Sequence, residues 1–226
     1  MKSGRGEDGL KVNKATENVV VRHCLAKKGH GGITCGSETA GTIRNLYVHD
    51  CVFDGTGVGI RFKTRRPRGG GGENLYYNRI RMNLEATCIK WDMLGTPAYV
   101  GELAERLPKR EVNNLTPFYR NISISNIIIE NGTHFLKIYG IPESPLTNLT
   151  IDNVDAKSTN LIINNDAKNV SIKSTSIKTP DTIIDVLGGE NITLNNVILN
   201  TNAKTLNMPN ETIKTNGINF NNGNLK

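Results

Sequence analysis

Asn121-Ile-Ser-Ile-Ser-Asn-Ile127 and Asn148-Leu-Thr-Ile-Asp-Asn-Val154 are one phrase written twice. It reads Asn, apolar, any, apolar, any, polar, then apolar or Cys. It recurs as Asn18-Val-Val-Val-Arg-His-Cys24, Asn45-Leu-Tyr-Val-His-Asp-Cys51, Asn74-Leu-Tyr-Tyr-Asn-Arg-Ile80 and Asn191-Ile-Thr-Leu-Asn-Asn-Val197, with a weaker copy at Asn169-Val-Ser-Ile-Lys-Ser-Thr175. The spacings from start to start are 27, 29, 47, 27, 21 and 22 residues. Each phrase alternates with period two, as a short strand does. A fixed period of this size is the mark of a solenoid.

The spacing predicts a right-handed, single-stranded parallel β-helix, an all-β fold in which identical positions stack at about 4.8 Å. Asn at a coil corner tolerates left-handed backbone and can bond its neighbours in a ladder. The second, fourth and seventh positions then point inward and form one core. Cys24 and Cys51 share a position in adjacent coils and are expected as a buried thiol stack rather than a disulfide. A β-sandwich also uses many short strands, but its corners do not repeat their chemistry. Residues 1–226 are expected to form one domain, with a loop excursion at about 93–117 inside the 47-residue gap. Tyr99 to Arg110 is expected there as one short helix or a loop.

Composition narrows the function. The chain carries 28 Lys+Arg against 21 Asp+Glu, a formal +7. Residues 1–110 hold 19 and 11 of these, and residues 111–226 hold 9 and 10. Gly follows the basic half, with 17 of 23, and Asn the other, with 23 of 29. A basic, Gly-rich half points to a polyanion-facing surface. Apolar runs stop at three or four residues, so no membrane helix or signal peptide is expected. Four Cys are too few for a disulfide scaffold. His23, His30, His49 and His134 are dispersed, so no metal and no cofactor is expected. The basic residues lack an aromatic stacking platform, which argues against nucleic acid.

Three segments exceed what the repeat requires. In Gly29-His30-Gly31-Gly32 a histidine stands without bulky cover. In Arg61-Phe62-Lys63-Thr64 alternation puts two cations on one face and Phe62 on the other, and such cations repel unless an anion sits between them. Arg offers a planar fork for a carboxylate and Lys a point charge. Arg65, Arg66 and Arg68 read as a solvated basic loop ahead of Gly69 to Gly72. Lys2-Ser3-Gly4-Arg5-Gly6-Glu7-Asp8-Gly9 is a Gly-rich charged turn.

Together these residues resemble glycoside hydrolase family 28, the polygalacturonases. Gly29-His30-Gly31, then Gly36-Ser37, then Arg61-Phe62-Lys63 are similar to that family's Gly-His-Gly and Arg-Ile-Lys motifs, in order and spacing. Lys2 to Arg5 followed by Glu7-Asp8-Gly9 looks most like bacterial members. The resemblance implies a pectin-lyase-like solenoid and inverting hydrolysis of galacturonosidic bonds in pectin. It implies that His30 tunes or orients the catalytic acid and that Arg61 and Lys63 bind a galacturonate carboxylate, with Lys2 also among the substrate contacts. The family's Asp-Asp pair is expected just before Met1, which makes the chain N-terminally truncated. Met93 falls near the place of a family tyrosine. Asp50 is expected in a ladder, and Asp54 and Asp92 as cleft residues without a pairing partner. The resemblance further implies an acidic polysaccharide partner, a monomer, and an extracellular or periplasmic place. Two other readings are a non-catalytic solenoid that binds acidic polysaccharide and a structural β-helix of the tailspike or adhesin kind.

Overall fold

The computed structural model of the chain describes residues 1–208 and 213–221. Strands alternate between two parallel sheets as the chain winds into a right-handed β-helix. The first sheet takes the long strands: Ile43–Thr56, Gly71–Leu84, Phe118–Asn131, Leu146–Lys157, Ala167–Lys178 and Glu190–Asn200, ending at Ile213–Asn221. Its other edge is broken into Thr16–Arg22 and Leu25–Gly29. The second sheet stacks short strands in the order Ile33–Gly36, Ile60–Lys63, Ile89–Asp92, His134–Tyr139, Asn160–Asn165 and Ile184–Leu187. A helix, Gly6–Val12, precedes the first coil.

The asparagine ladder is continuous. Asn45 Nδ2 donates to Asn18 Oδ1 at 3.1 Å, Asn74 to Asn45 at 3.3 Å, and Asn121 to Asn74 at 3.3 Å. Asn148, Asn169 and Asn191 each donate to the one before at 2.9 Å. All seven are left-handed, with φ from 53° to 60°. The sixth position of the phrase is a second left-handed corner, which the sequence did not announce: His23, Asp50, Arg79, Asn126, Asn153, Ser174 and Asn196 all have φ between 48° and 56°. Stacking on a fixed corner overrides the usual reluctance of Arg and Ser to adopt this backbone. Asp50 does belong to this column, and Arg79 forks onto it at 2.6 and 2.8 Å.

The core follows the phrase. Leu46, Leu75, Ile122, Leu149, Val170 and Ile192 stack at the second position, and all are buried. Burying such a side chain contributes about 1.5–3 kcal/mol. The thiol stack is half as expected: Cys24 and Cys51 are both free, and Cys51 is buried, but Cys24 is exposed at the edge coil. Met93 is still held in the core, and the rest of the expected excursion, up to residue 117, leaves the solenoid and forms only the short helix Pro97–Val100 and the 3-10 turn Gly101–Ala104. Arg106 fastens this excursion to buried Asp166 through two bonds of 2.7 Å.

Candidate functional site

Arg61 and Lys63 stand on the outer face of the short strand Ile60–Lys63, while Ile60 and Phe62 point inward. Phe62 is stacked on Trp91 at 4.2 Å with only 8° between the rings, and meets Tyr77 and Tyr119 edge-on. The buried Tyr119 hydroxyl donates to the Cys35 carbonyl at 3.0 Å and lies 3.2 Å from that of Lys63. The strand carrying the cations is therefore fixed from below. Gly36 crosses it so closely that a Cβ there would lie 1.7 Å from the Lys63 carbonyl oxygen. Its φ of 105° also excludes other side chains.

Among the described residues neither Arg61 nor Lys63 is held in an ion pair, although the Asp92 and Glu38 charges are close enough to act on Lys63. Arg61 Nε is buried without a hydrogen-bond partner. Burial, and then the adjacent Arg61 charge, hold the Lys63 ammonium below the ordinary lysine value. A buried donor without a partner costs free energy that an anion would recover.

Lys63 lines a cavity of about 440 Å³ with Arg5, Ser37, Arg65, Arg68 and Tyr99. Met93 stands near the place where the resemblance puts a tyrosine. Met93 is fully buried, and it is Tyr99, carried by the excursion and largely exposed, that reaches the cavity. No periodicity reports Tyr99, because its position depends on the path of a loop.

His30 lies exposed just past the strand Leu25–Gly29, at the edge where Gly31 approaches Arg61. A Cβ on Gly31 would stand 3.8 Å from Arg61 Cβ, and one on Gly57 3.7 Å from the His30 carbonyl oxygen. The histidine thus shares an edge with Arg61 in neighbouring coils. Lys2 is placed differently. It is ion-paired with Glu38, which also takes Arg68 at 3.4 Å, and it lines an adjoining cavity of about 910 Å³ beside the helix Gly6–Val12, which shares Arg5, Arg65 and Arg68 with the cavity at Lys63. The hydrogen bond from Lys2 holds the Glu38 carboxyl below its usual range.

The solvated basic loop needs correction. Arg66 and Arg68 are each only 8% exposed. Arg66 forks onto buried Glu143, with Nη2–Oε2 at 2.6 Å. A guanidinium that reaches a carboxylate two coils away stops being a surface charge. Asp92 is buried in the strand next to Lys63, where Lys90 Nζ lies 3.5 Å away and the Gly95 amide donates at 3.1 Å. Asp54 sits on the other sheet and accepts from Asn83.

Two outward cations, Arg then Lys, on a strand of this solenoid were the motif behind the family resemblance, and the comparison with family models settles its extent. Residues 2–94 match the model of Glycosyl hydrolases family 28. That stretch contains Lys2, His30, Arg61 and Lys63. Over 155 residues the chain is 27% identical to a probable polygalacturonase of Vitis vinifera, covering 68% of this chain and 30% of the relative. Over 84 residues it is 40% identical to a polygalacturonase of Ralstonia nicotianae, covering 34% of this chain and 16% of the relative. The chain therefore spans less than a third of the length of these curated relatives.

Proposed function

We propose that this chain is the substrate-clamping part of a polygalacturonase-type glycosidase. Arg61 and Lys63 hold the carboxylate of one galacturonate unit at the bond to be cleaved. The observation that carries this is a pair of outward cations on one rigid strand that form no ion pair among the described residues, one with a buried orphan donor. The match of residues 2–94 to family 28 supports it. His30, at the same edge, orients or tunes the catalytic acid. Lys2, already paired with Glu38, contributes at most a screened charge. Residues 1–226 act as one solenoid domain, outside the cytoplasm, where pectic polymers occur.

Inverting hydrolysis takes two carboxyl groups about 6.5–9.5 Å apart, one to protonate the leaving oxygen and one to activate water. Asp92 is occupied by Lys90 and the Gly95 amide, and Asp54 faces elsewhere. The reading therefore gives these residues the clamp and gives them no proton transfer. The same observation favours a second reading, a non-catalytic solenoid that binds acidic polysaccharide.

Titration calorimetry tests the clamp. Trigalacturonate is expected to bind and neutral galactotriose not to. Arg61→Ala and Lys63→Ala should each cost about 2 kcal/mol or more, as for a desolvated charge pair. Lys157→Ala, an exposed charge elsewhere on the rod, should cost under about 1 kcal/mol. Equal losses in all three variants would mean a diffuse basic surface and end the assignment.

A further inference from the structure

The long-strand sheet has an outer face of its own, between the two left-handed corners. The third position of the phrase points out there, and register gives the row Val20, Tyr47, Tyr76, Ser123, Thr150. The fifth position gives Arg22, His49, Asn78, Ser125, Asp152. Tyr47 and Tyr76 are both exposed, about one strand spacing apart, and the small Ser123 comes next. With Asn78 and Ser125 they line a trough of about 520 Å³. That is the size of a small-ligand site, and aromatic rings with a few polar groups are its usual lining.

The trough is uncharged and has charged ends. Arg22 stands beyond His49, and Asp152, held by Lys173 at 3.3 Å, stands beyond Ser125. The charges at its side are spent on one another, since Asp50 takes both His49 and the Arg79 fork. Two of the walls are braced. Tyr47 rests its ring on His49 at 4.5 Å and turns its hydroxyl to Arg79, and Asn78 donates to Ser125 Oγ at 3.0 Å. Tyr76 differs: among the described residues it has no ring contact, no cation over it and no hydrogen bond, and the Ser123 hydroxyl has no hydrogen bond either.

An open aromatic face beside free hydroxyls suits a sugar, whose C–H face lies on the ring while its hydroxyls bond at the edge. A carboxylate would find no unpaired cation here. A protein partner fits less well, because a stable interface takes about 800 Å² a side and two tyrosines bury only about 150–250 Å² each. Two tyrosines in a row ask for a chain with flat faces. A β-1,4-linked chain whose hydroxyls are all equatorial has them, whereas an axial hydroxyl lifts the ring away. We propose that Tyr47, Tyr76, Ser123 and Ser125 form a second carbohydrate site, for an uncharged, glucan-like β-1,4-linked chain. It lies on the other sheet from Arg61 and Lys63, so it goes beyond the clamp and does not depend on it.

Titration of the chain with cellohexaose, hexagalacturonate and galactotriose tests this. Cellohexaose should bind, with an affinity that saturating hexagalacturonate leaves unchanged, and galactotriose should not bind. Tyr76→Ala should weaken cellohexaose about tenfold, as one lost stacked ring predicts, and leave hexagalacturonate and the melting temperature unchanged. Tyr76→Phe should keep most of the affinity. Ser123→Arg, which fills the trough, should abolish it. A wild-type chain that does not bind cellohexaose overturns the site. So does cellohexaose binding that Arg61→Ala removes and Tyr76→Ala does not, which would put the neutral chain in the clamp. Dimers of the chain that Tyr76→Ala separates, with glucan binding unchanged, would make the trough a face between copies and overturn it too.

Discussion

Lys63 and Arg66 are three positions apart and have opposite fates. Lys63 forms no ion pair among the described residues. Its lowered pKa, set by burial and then by Arg61, has a sign that can be tested. A bound carboxylate raises that pKa, so affinity is complete below the free-protein value and falls as pH climbs through it. Oligogalacturonate affinity should therefore decline at lower pH than an ordinary lysine would allow, and Lys63→Arg should abolish the decline; calorimetry across pH 7–10 checks this. Arg66 has already found Glu143. Arg66→Ala would strand a buried carboxylate and should cost about 3–5 kcal/mol in urea unfolding. Replacing both, as Arg66→Met with Glu143→Leu, should cost much less. That Arg61 and Lys63 share a face was legible, because residues two apart on a strand must do so. The burial of Arg66 was not, because its partner lies 77 positions away and only the coil lengths bring them together.

The stacked corner is the unit at the next scale. Asn121 both donates to Asn74 and accepts from Asn148. Asn18 accepts from Asn45, and among the described residues its amide has no ladder partner beneath it. Both have nearly the same φ, 56° and 57°, so the backbone penalty of alanine cancels in a comparison. Asn121→Ala should lower stability by about 1 kcal/mol more than Asn18→Ala, one further hydrogen bond, measured by thermal unfolding. This ladder was legible from residue type alone. The second corner was not, since His, Asp, Arg, Asn and Ser all occupy it. There the fold imposes a conformation that the side chains do not request. The clamp strand shows the same division of labour: alternation foretold which face Phe62 takes, but not that Trp91 lies flat on it.

For the whole molecule, the chain of 226 residues should bind acidic oligosaccharide and release no measurable reducing sugar from polygalacturonate. Each acid–base group contributes roughly 10²–10⁴-fold, and the clamp cannot supply the proton the leaving oxygen needs. Clear activity that Asp92→Asn or Asp54→Asn abolishes would place the acids inside this chain and contradict the reading. The rod and its loops also differ in what holds them. The seven stacked amides neither gain nor lose a proton in ordinary buffers. The basic loop, by contrast, is held by carboxylates. Burial alone would raise the Glu143 carboxyl, but the Arg66 guanidinium together with the backbone amides of Glu143 and Arg110 outweighs this and holds it below its usual range. The Glu38 carboxyl is lowered by Lys2. Such groups contribute stability that is present above the ordinary carboxylate value and lost as pH falls through the depressed one. Acid should therefore undress the basic loop before it unwinds the spool on which that loop is mounted, leaving a bare and still-coiled spindle.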